Sequence, residues 1–116
     1  MVVLAACASE LPRQPATLTA PAAADGQSRV IQVDEDAEIR LPSGYSRSIR
    51  AGSTWGQSGT VNGLGAYKAA KDVFTIEGAQ VHEAYLLLDA NMLVGFFLPG
   101  ENAVSWLNNK VALKFH

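Results

Sequence analysis

Residues 29–116 repeatedly alternate apolar and polar side chains, which is the pattern of a β-strand that buries one face. In the clearest case Ala37, Ile39 and Leu41 alternate with charged residues directly before the turn-forming stretch "PSG". Other strand-like runs are bounded by glycine, proline or charged residues, and they occupy residues 29–33, 45–50, 73–76 and 110–115. The pattern therefore predicts β structure over most of the chain.

The stretch "GSTWGQSGTVNGLGAYK" contains short apolar runs around Trp55, Val61 and Tyr67. Glycines at this density within strand-like sequence favour tight turns or β-bulges. Short strands separated by turns are therefore predicted here.

The stretch "AQVHEAYLLLDANMLVGFFLPG" has two strand-like runs on either side of "DAN", and it predicts a β-hairpin. A three-residue loop over residues 89–91 is favoured, because Asn91 can take the left-handed conformation that such a loop needs. That register places Leu88 opposite Met92.

The pairing of Tyr85 distinguishes two registers of this hairpin. The three-residue loop places Tyr85 opposite Gly95, a favourable pairing of an aromatic ring with a glycine. A two-residue loop over residues 90–91 is the alternative, and it would place Tyr85 opposite Phe96.

Both faces of the hairpin are apolar in either register. One face carries Tyr85 and Leu87, the other carries Ala84, Leu86 and Leu88, and Phe96 and Phe97 point in opposite directions. A hairpin that is apolar on both faces is expected at the centre of a fold, with both faces covered. The cover could be the segment "ENAVSWL", a candidate short helical turn containing Trp106, or a partner protein.

Together these elements predict an all-β fold, a small and mostly antiparallel β barrel or sandwich of about eight short strands, with the helical turn near Trp106. The chain has 116 residues, a length typical of one domain, and residues 29–116 are predicted to form it.

The single cysteine lies at position 7, in "LAAC" at residues 4–7. This stretch resembles the lipobox of bacterial lipoprotein precursors. The resemblance implies a diacylglycerol thioether on Cys7, cleavage after Ala6 and acylation of the new amino terminus, so that the partner is membrane lipid. Residues 1–6 would then be the remnant of a signal peptide.

One feature departs from that class. A signal peptide has a basic region followed by 7–15 apolar residues, whereas here six residues without Lys or Arg precede Cys7. We therefore expect either a true start upstream of Met1 or a trimmed front. The other interpretation is a frayed apolar terminus with an inert thiol.

Position within the envelope also follows from the resemblance. The residues after the cysteine, Ala8 and Ser9, lack the aspartate that in this class retains lipoproteins in the inner membrane. For a Gram-negative source this implies the periplasmic face of the outer membrane.

Residues 7–28 are predicted to be the lipidated cysteine and a flexible tether. The composition is rich in Ala, Pro, Thr and Gln, with Pro12, Pro15 and Pro21. Proline removes backbone donors and alanine builds little core, so the segment should stay extended and hold the domain away from the membrane. The alternative is an N-terminal arm that packs on the domain.

Residues 73–107 also resemble small proteobacterial lipoproteins of unassigned function, a likeness that implies no mechanism. The net charge of −2 and the lack of any basic run argue against nucleic-acid binding.

Candidate chemistry is sparse, and no catalytic residue, metal site or cofactor is predicted. His82 and Glu83 form the only adjacent acid–base pair, but neighbours on a strand point to opposite faces. Asp34-Glu35-Asp36 could hold a divalent cation, although a solvated turn is favoured. Neither Cys7 nor His116 lies at ligand spacing from another candidate.

Three aromatic side chains, Trp55, Tyr67 and Trp106, could form a stacking surface for a glycan or peptide, with packing in the core or at its rim favoured. The sequence thus favours a non-catalytic, lipid-anchored envelope protein whose β domain binds an envelope protein partner. The alternative is a glycan or small-ligand binding module of the periplasm.

Overall fold

The computed structural model describes residues 13–19, 29–77 and 80–116, and within these ranges the chain forms eleven β-strands and no helix. The strands are β1 (Gln14–Pro15), β2 (Val30–Gln32), β3 (Ala37–Arg40), β4 (Ser46–Ile49), β5 (Thr54–Val61), β6 (Leu64–Ala69), β7 (Thr75–Glu77), β8 (Val81–Glu83), β9 (Tyr85–Asp89), β10 (Met92–Leu98) and β11 (Ala103–Ala112). The predicted all-β class is confirmed.

Seven strands form one sheet in the order β1-β11-β10-β9-β6-β5-β2, and every neighbouring pair is antiparallel. Two separate hairpins, β3-β4 and β7-β8, complete the fold. The middle strand is β9, flanked by β10 and β6, and the β9-β10 hairpin is apolar on both faces.

The sheet curls so that its β2 edge meets the end of the chain. Val33 and Phe115 form an antiparallel bridge, and Gln32 and His116 exchange backbone hydrogen bonds of 2.8 and 3.0 Å. The Asp34 N–H also donates to the Lys114 carbonyl at 2.7 Å. These contacts give the sheet a barrel-like closure, in keeping with the small antiparallel barrel or sandwich that the sequence predicted.

Alternation along the strands sorts the apolar side chains into two cores, one on each face of the sheet. The larger core also receives side chains from both separate hairpins, and its buried members include Ile31, Ile39, Ile49, Trp55, Tyr67, Phe74, Ile76, Leu86, Leu88 and Phe96. The smaller core contains Val61, Ala66, Leu87, Phe97 and Val104. The predicted facing of the β9 side chains is confirmed, as are the opposite directions of Phe96 and Phe97.

The register of the β9-β10 hairpin corrects the favoured prediction. Asp89 pairs with Met92, so the loop has two residues, and Ala90 rather than Asn91 takes the left-handed conformation, with φ of 56°. Two-residue loops are the commonest hairpin connections, because the turns they adopt match the twist of the flanking strands. The alternative loop is therefore the one that forms.

A β-bulge then gives Tyr85 a partner that neither predicted register assigned to it. The register slips between Leu93 and Gly95, and Tyr85 lies opposite Phe97. Gly95 is covered instead by Trp106, its pairing partner on β11, and a Cβ at Gly95 would lie 3.2 Å from Cε3 of that ring. An aromatic ring does cover Gly95, but it comes from the other neighbouring strand.

The segment "ENAVSWL" contains no helical turn, which corrects the prediction near Trp106. Residues 103–107 belong to β11, which pairs with β10 along most of its length. The competing signal was the period-two alternation of this segment, in which Val104 is buried and Trp106 packs on the same face.

Part of the predicted tether lies on the sheet. Gln14–Pro15 pairs with the β11 edge, Thr19 bridges to Thr60 on β5, and Ala16 and Leu18 pack on the smaller core. We call residues 13–19 the arm. The arm covers the smaller core on the second face of the sheet, where Ala16 and Leu18 make apolar contacts. This corresponds to the alternative interpretation of the segment, an N-terminal arm that packs on the domain. Cys7 and the lipobox lie outside the described residues.

Candidate binding cleft

A cleft of about 480 Å³ opens where the turn between β4 and β5 meets the loop between β6 and β7. We define the cleft by six of its lining side chains, Arg47, Arg50, Trp55, Lys71, Asp72 and Phe74. Its volume falls within the range of pockets that bind small organic molecules.

The floor of the cleft is aromatic and continuous with the larger core. The Trp55 ring meets Phe74 edge-on, with centroids 5.1 Å apart at 71°. Phe74 in turn stacks on Phe96, with centroids 6.0 Å apart. Because these rings are nearly fully buried, the floor is rigid and supports the polar groups above it.

Arg47 is held in place on this floor. On β4, Arg47 lies on the same side of the strand as the buried Ile49, so its side chain points inward. Its guanidinium carbon lies 4.3 Å from the centroid of the Phe74 ring. Its Nε donates a hydrogen bond of 2.7 Å to the Thr75 carbonyl. A cation–π contact and a directional hydrogen bond together fix the orientation of the guanidinium.

The turn after β4 forms one wall of the cleft. The Ser53 hydroxyl donates to the Arg50 carbonyl at 2.6 Å and accepts a hydrogen bond of 3.0 Å from Trp55 Nε1. The Asp36 carboxylate accepts from the Ala51 N–H at 2.7 Å. These bonds tie the turn to the aromatic floor and to the chain before β3.

The cleft is positively charged on a protein whose net charge is −2. Its described lining contains Arg47, Arg50 and Lys71, and its one carboxylate is that of Asp72. Within residues 13–19, 29–77 and 80–116, no salt bridge involves any of these three cations. Their charge is therefore available to a ligand.

The three aromatic residues considered as a candidate stacking surface are not brought together. Trp55 lies in the cleft floor and is 2% exposed, whereas Tyr67 is buried on β6 with its ring against Gly65. Trp106 packs on the smaller core, on the other face, and its Nε1 donates to Gln14 Oε1 at 3.0 Å. Of the three, Trp55 alone lines the cleft.

His82 and Glu83 lie in different surroundings. The His82 side chain is 1% exposed, and its Nδ1 lies 3.2 Å from Oε2 of Glu101, in the turn before β11. Glu83 follows on the strand and is only partly buried. The geometry is that of a buried histidine tying the β7-β8 hairpin to the β10-β11 turn.

The acidic turn 34–36 anchors the end of the chain and the β4-β5 turn. Asp34 Oδ1 lies 2.7 Å from His116 Nδ1, Glu35 lies 3.5 Å from Lys114 Nζ, and Asp36 binds the Ala51 N–H. The three carboxylates thus have separate protein partners, and no metal-binding group of three acidic, His or Cys side chains occurs in the described ranges.

Sequence reasoning missed Arg47, Arg50 and Lys71 as site residues. Arg47 and Phe74 are far apart in the chain, and they meet only because two separate hairpins cover the same core. One signal was available: Arg47 shares the alternation of the buried Ile49, and a cation at an inward-facing position calls for a specific contact.

Among the described residues, no helix is long and apolar enough to cross a membrane. Comparisons with protein-family models, with curated proteins and with solved structures find no match to this chain.

Proposed function

We propose that this chain is a non-catalytic binding protein of the bacterial cell envelope, anchored by lipid on Cys7, and that it binds a small ligand in the cleft. The observation that carries the binding role is the cleft itself, in which a buried aromatic floor lies beneath an oriented guanidinium and two cations that form no salt bridge with a described residue. Binding sites characteristically combine such an apolar base with a few placed polar groups.

The geometry favours a small ligand over a protein partner. A protein interface is often marked by a broad uncovered apolar patch, and both Phe96 and Phe97 are fully buried. The exposed large apolar side chains in the described part are Val30, Val73 and Val81, which lie on three different segments. A scaffolding role therefore has less support than ligand binding.

The proposed lipid anchor is based on the lipobox, and the position of the arm determines how far the anchor would hold the domain from the membrane. Five residues, 8–12, separate Cys7 from the arm at Arg13. Six residue steps of fully extended chain span about 20 Å, so a lipid on Cys7 would hold the domain close to the bilayer surface. The proposed location is the periplasmic face of the outer membrane.

Palmitate incorporation tests the anchor. When the full precursor is expressed in a Gram-negative host with labelled palmitate, the label should enter the wild-type chain, and the protein should fractionate with the outer membrane. Cys7→Ser removes the only cysteine, so this variant should carry no label and should be released to the soluble fraction. Equal labelling of both chains would rule out attachment at Cys7.

Ligand-dependent stabilisation tests the cleft separately from the anchor. A ligand that binds only the native state raises the free energy of unfolding by RT ln(1 + [L]/Kd), where [L] is the free ligand concentration. Soluble peptidoglycan fragments should raise the melting temperature of the wild-type domain and should stabilise an Arg47→Ala variant much less. Because Arg47→Ala also loses the Thr75 contact, the comparison uses each variant's own ligand-free melting temperature. Equal shifts in both proteins would exclude the cleft as the site.

A further inference from the structure

The charge and shape of the cleft define the chemical class of its ligand. Arg47 uses its Nε on the Thr75 carbonyl and one guanidinium face on Phe74, and its Nη1 makes only a 3.4 Å contact with the Ser48 carbonyl. Nη2 therefore has no partner in the described part of the chain. A planar guanidinium with a free terminal nitrogen, already oriented, is suited to a carboxylate or phosphoryl oxygen.

Arg50 and Lys71 supply a second and third positive charge from two different segments of the lining. Arg50 lies on the turn before β5 and Lys71 on the loop after β6, and both are exposed. Neither forms a salt bridge with a described residue, and among the described lining residues Asp72 is the one carboxylate. Long, exposed cationic side chains around an ordered one can close on an anion after it enters.

The floor limits what else the ligand can be. The rings of Trp55 and Phe74 are buried, and the Arg47 guanidinium lies over the Phe74 ring, so they do not offer a broad stacking surface. With a volume of about 480 Å³, the cleft suits a compact molecule. Its polar lining, which includes Gln32 and Thr54, suits a hydroxylated body.

We propose that the cleft binds a small organic anion whose carboxylate or phosphoryl group is held by Arg47, Arg50 and Lys71. This inference deepens the proposed function and rests on it, because it assigns a ligand class to the same site.

Calorimetric titration with glucuronate, glucose 6-phosphate and glucose tests the charge requirement, since the three probes share a sugar ring and differ in their anionic group. At least one anionic sugar should bind about tenfold or more tightly than glucose, and its affinity should fall as salt is added. Binding of glucuronate alone identifies a carboxylate ligand, and binding of glucose 6-phosphate alone identifies a phosphoryl ligand. Inorganic phosphate binding as tightly as the sugar phosphate would contradict a role for the organic body.

A matched pair of double variants separates the cleft from general electrostatics. Arg50→Gln with Lys71→Gln should weaken binding of the anionic sugar about tenfold or more, while Arg40→Gln with Lys110→Gln removes the same charge from exposed positions outside the cleft and should change it little. An equal loss in both double variants would overturn the inference.

The outcomes also distinguish this inference from the proposed function. The ligand need not be an anion if glucose binds as well as its anionic analogues, or if only uncharged peptidoglycan fragments stabilise the domain in a way that depends on Arg47. In either case the inference about ligand charge is refuted, while the cleft remains the binding site. If no fragment stabilises the domain and no sugar binds, both proposals fail.

Discussion

Gly95 shows how one residue sets the fit between the two strands that flank it. A Cβ at this position would lie 2.8 Å from the Ser105 carbonyl oxygen and 3.2 Å from the Trp106 ring. Real Cβ atoms do not approach backbone oxygen so closely, so a larger side chain would force the strands apart.

We therefore expect Gly95→Ala to lower the free energy of unfolding by about 1–3 kcal/mol, the usual cost of overpacking. Gly100→Ala is the matched control, because no atom lies within 4 Å of a Cβ built there. Urea denaturation measures both variants. A Gly95→Ala protein as stable as the Gly100→Ala protein would contradict the described contact with β11.

Single residues also show what the sequence could predict. Alternation correctly assigned Leu86 and Leu87 to opposite faces, because period two is a local property of a strand. It could not predict the bulge after Leu93, which depends on how Gly95 fits beneath Trp106 on a strand that follows later in the chain. Arg47 was missed for the same reason, since its partner Phe74 is brought to it by tertiary packing.

Among the elements, the arm has the most direct bearing on the anchor. Thr19 and Thr60 exchange two backbone hydrogen bonds of 2.8 Å, and the Ala16 N–H donates to the Asn102 carbonyl at 2.9 Å. The arm passes so close to Gly59 that a Cβ there would collide with the Thr19 carbonyl and lie 3.2 Å from Leu18 Cδ1. Binding of the arm thus depends on a glycine at position 59.

Gly59→Ala should release the arm while leaving the sheet folded. Hydrogen exchange should show lost protection at the Ala16 and Thr19 amides, with unchanged protection in β9 and β10. Gly56→Ala lies on the same strand with open space around its Cβ, and it should retain protection in the arm. If the arm amides stayed protected in Gly59→Ala, or lost protection equally in both variants, the packing of the arm against Gly59 would be contradicted.

The sequence composition alone could not place this arm. Three prolines and several alanines indicate an extended chain, which is what the arm is, but composition does not say whether an extended chain lies in solvent or along a sheet edge. The deciding contacts are made by Ala16 and Leu18 with the smaller core, and they depend on strands that follow far along the chain.

For the whole molecule, the contacts of β2 with residues 113–116 close the curled sheet. Deleting residues 114–116 removes the Gln32–His116 pair of backbone bonds, the Asp34–Lys114 bond and the partly buried Phe115. We expect the deletion to lower the free energy of unfolding by roughly 2–5 kcal/mol. Each lost hydrogen bond contributes about 0.5–1.5 kcal/mol, and the lost burial of Phe115 adds to this.

His116→Ala is the control for that deletion, because it keeps the backbone bonds and removes only the exposed contact with Asp34. Such a contact contributes under about 1 kcal/mol. Thermal and urea unfolding of the two proteins should therefore differ clearly. If they were equally stable, the closure would not hold the fold together.

The central claim is that this β domain binds its ligand in the cleft, and the two indole groups offer a direct measurement. Trp55 Nε1 lies at the cleft beside Ser53, whereas Trp106 Nε1 lies on the other face beside Gln14. In a ¹H–¹⁵N NMR titration with the anionic sugar that binds, the Trp55 indole signal should shift to saturation while the Trp106 signal stays in place. A shift of the Trp106 signal with the Trp55 signal unmoved would place binding on the opposite face and contradict the account.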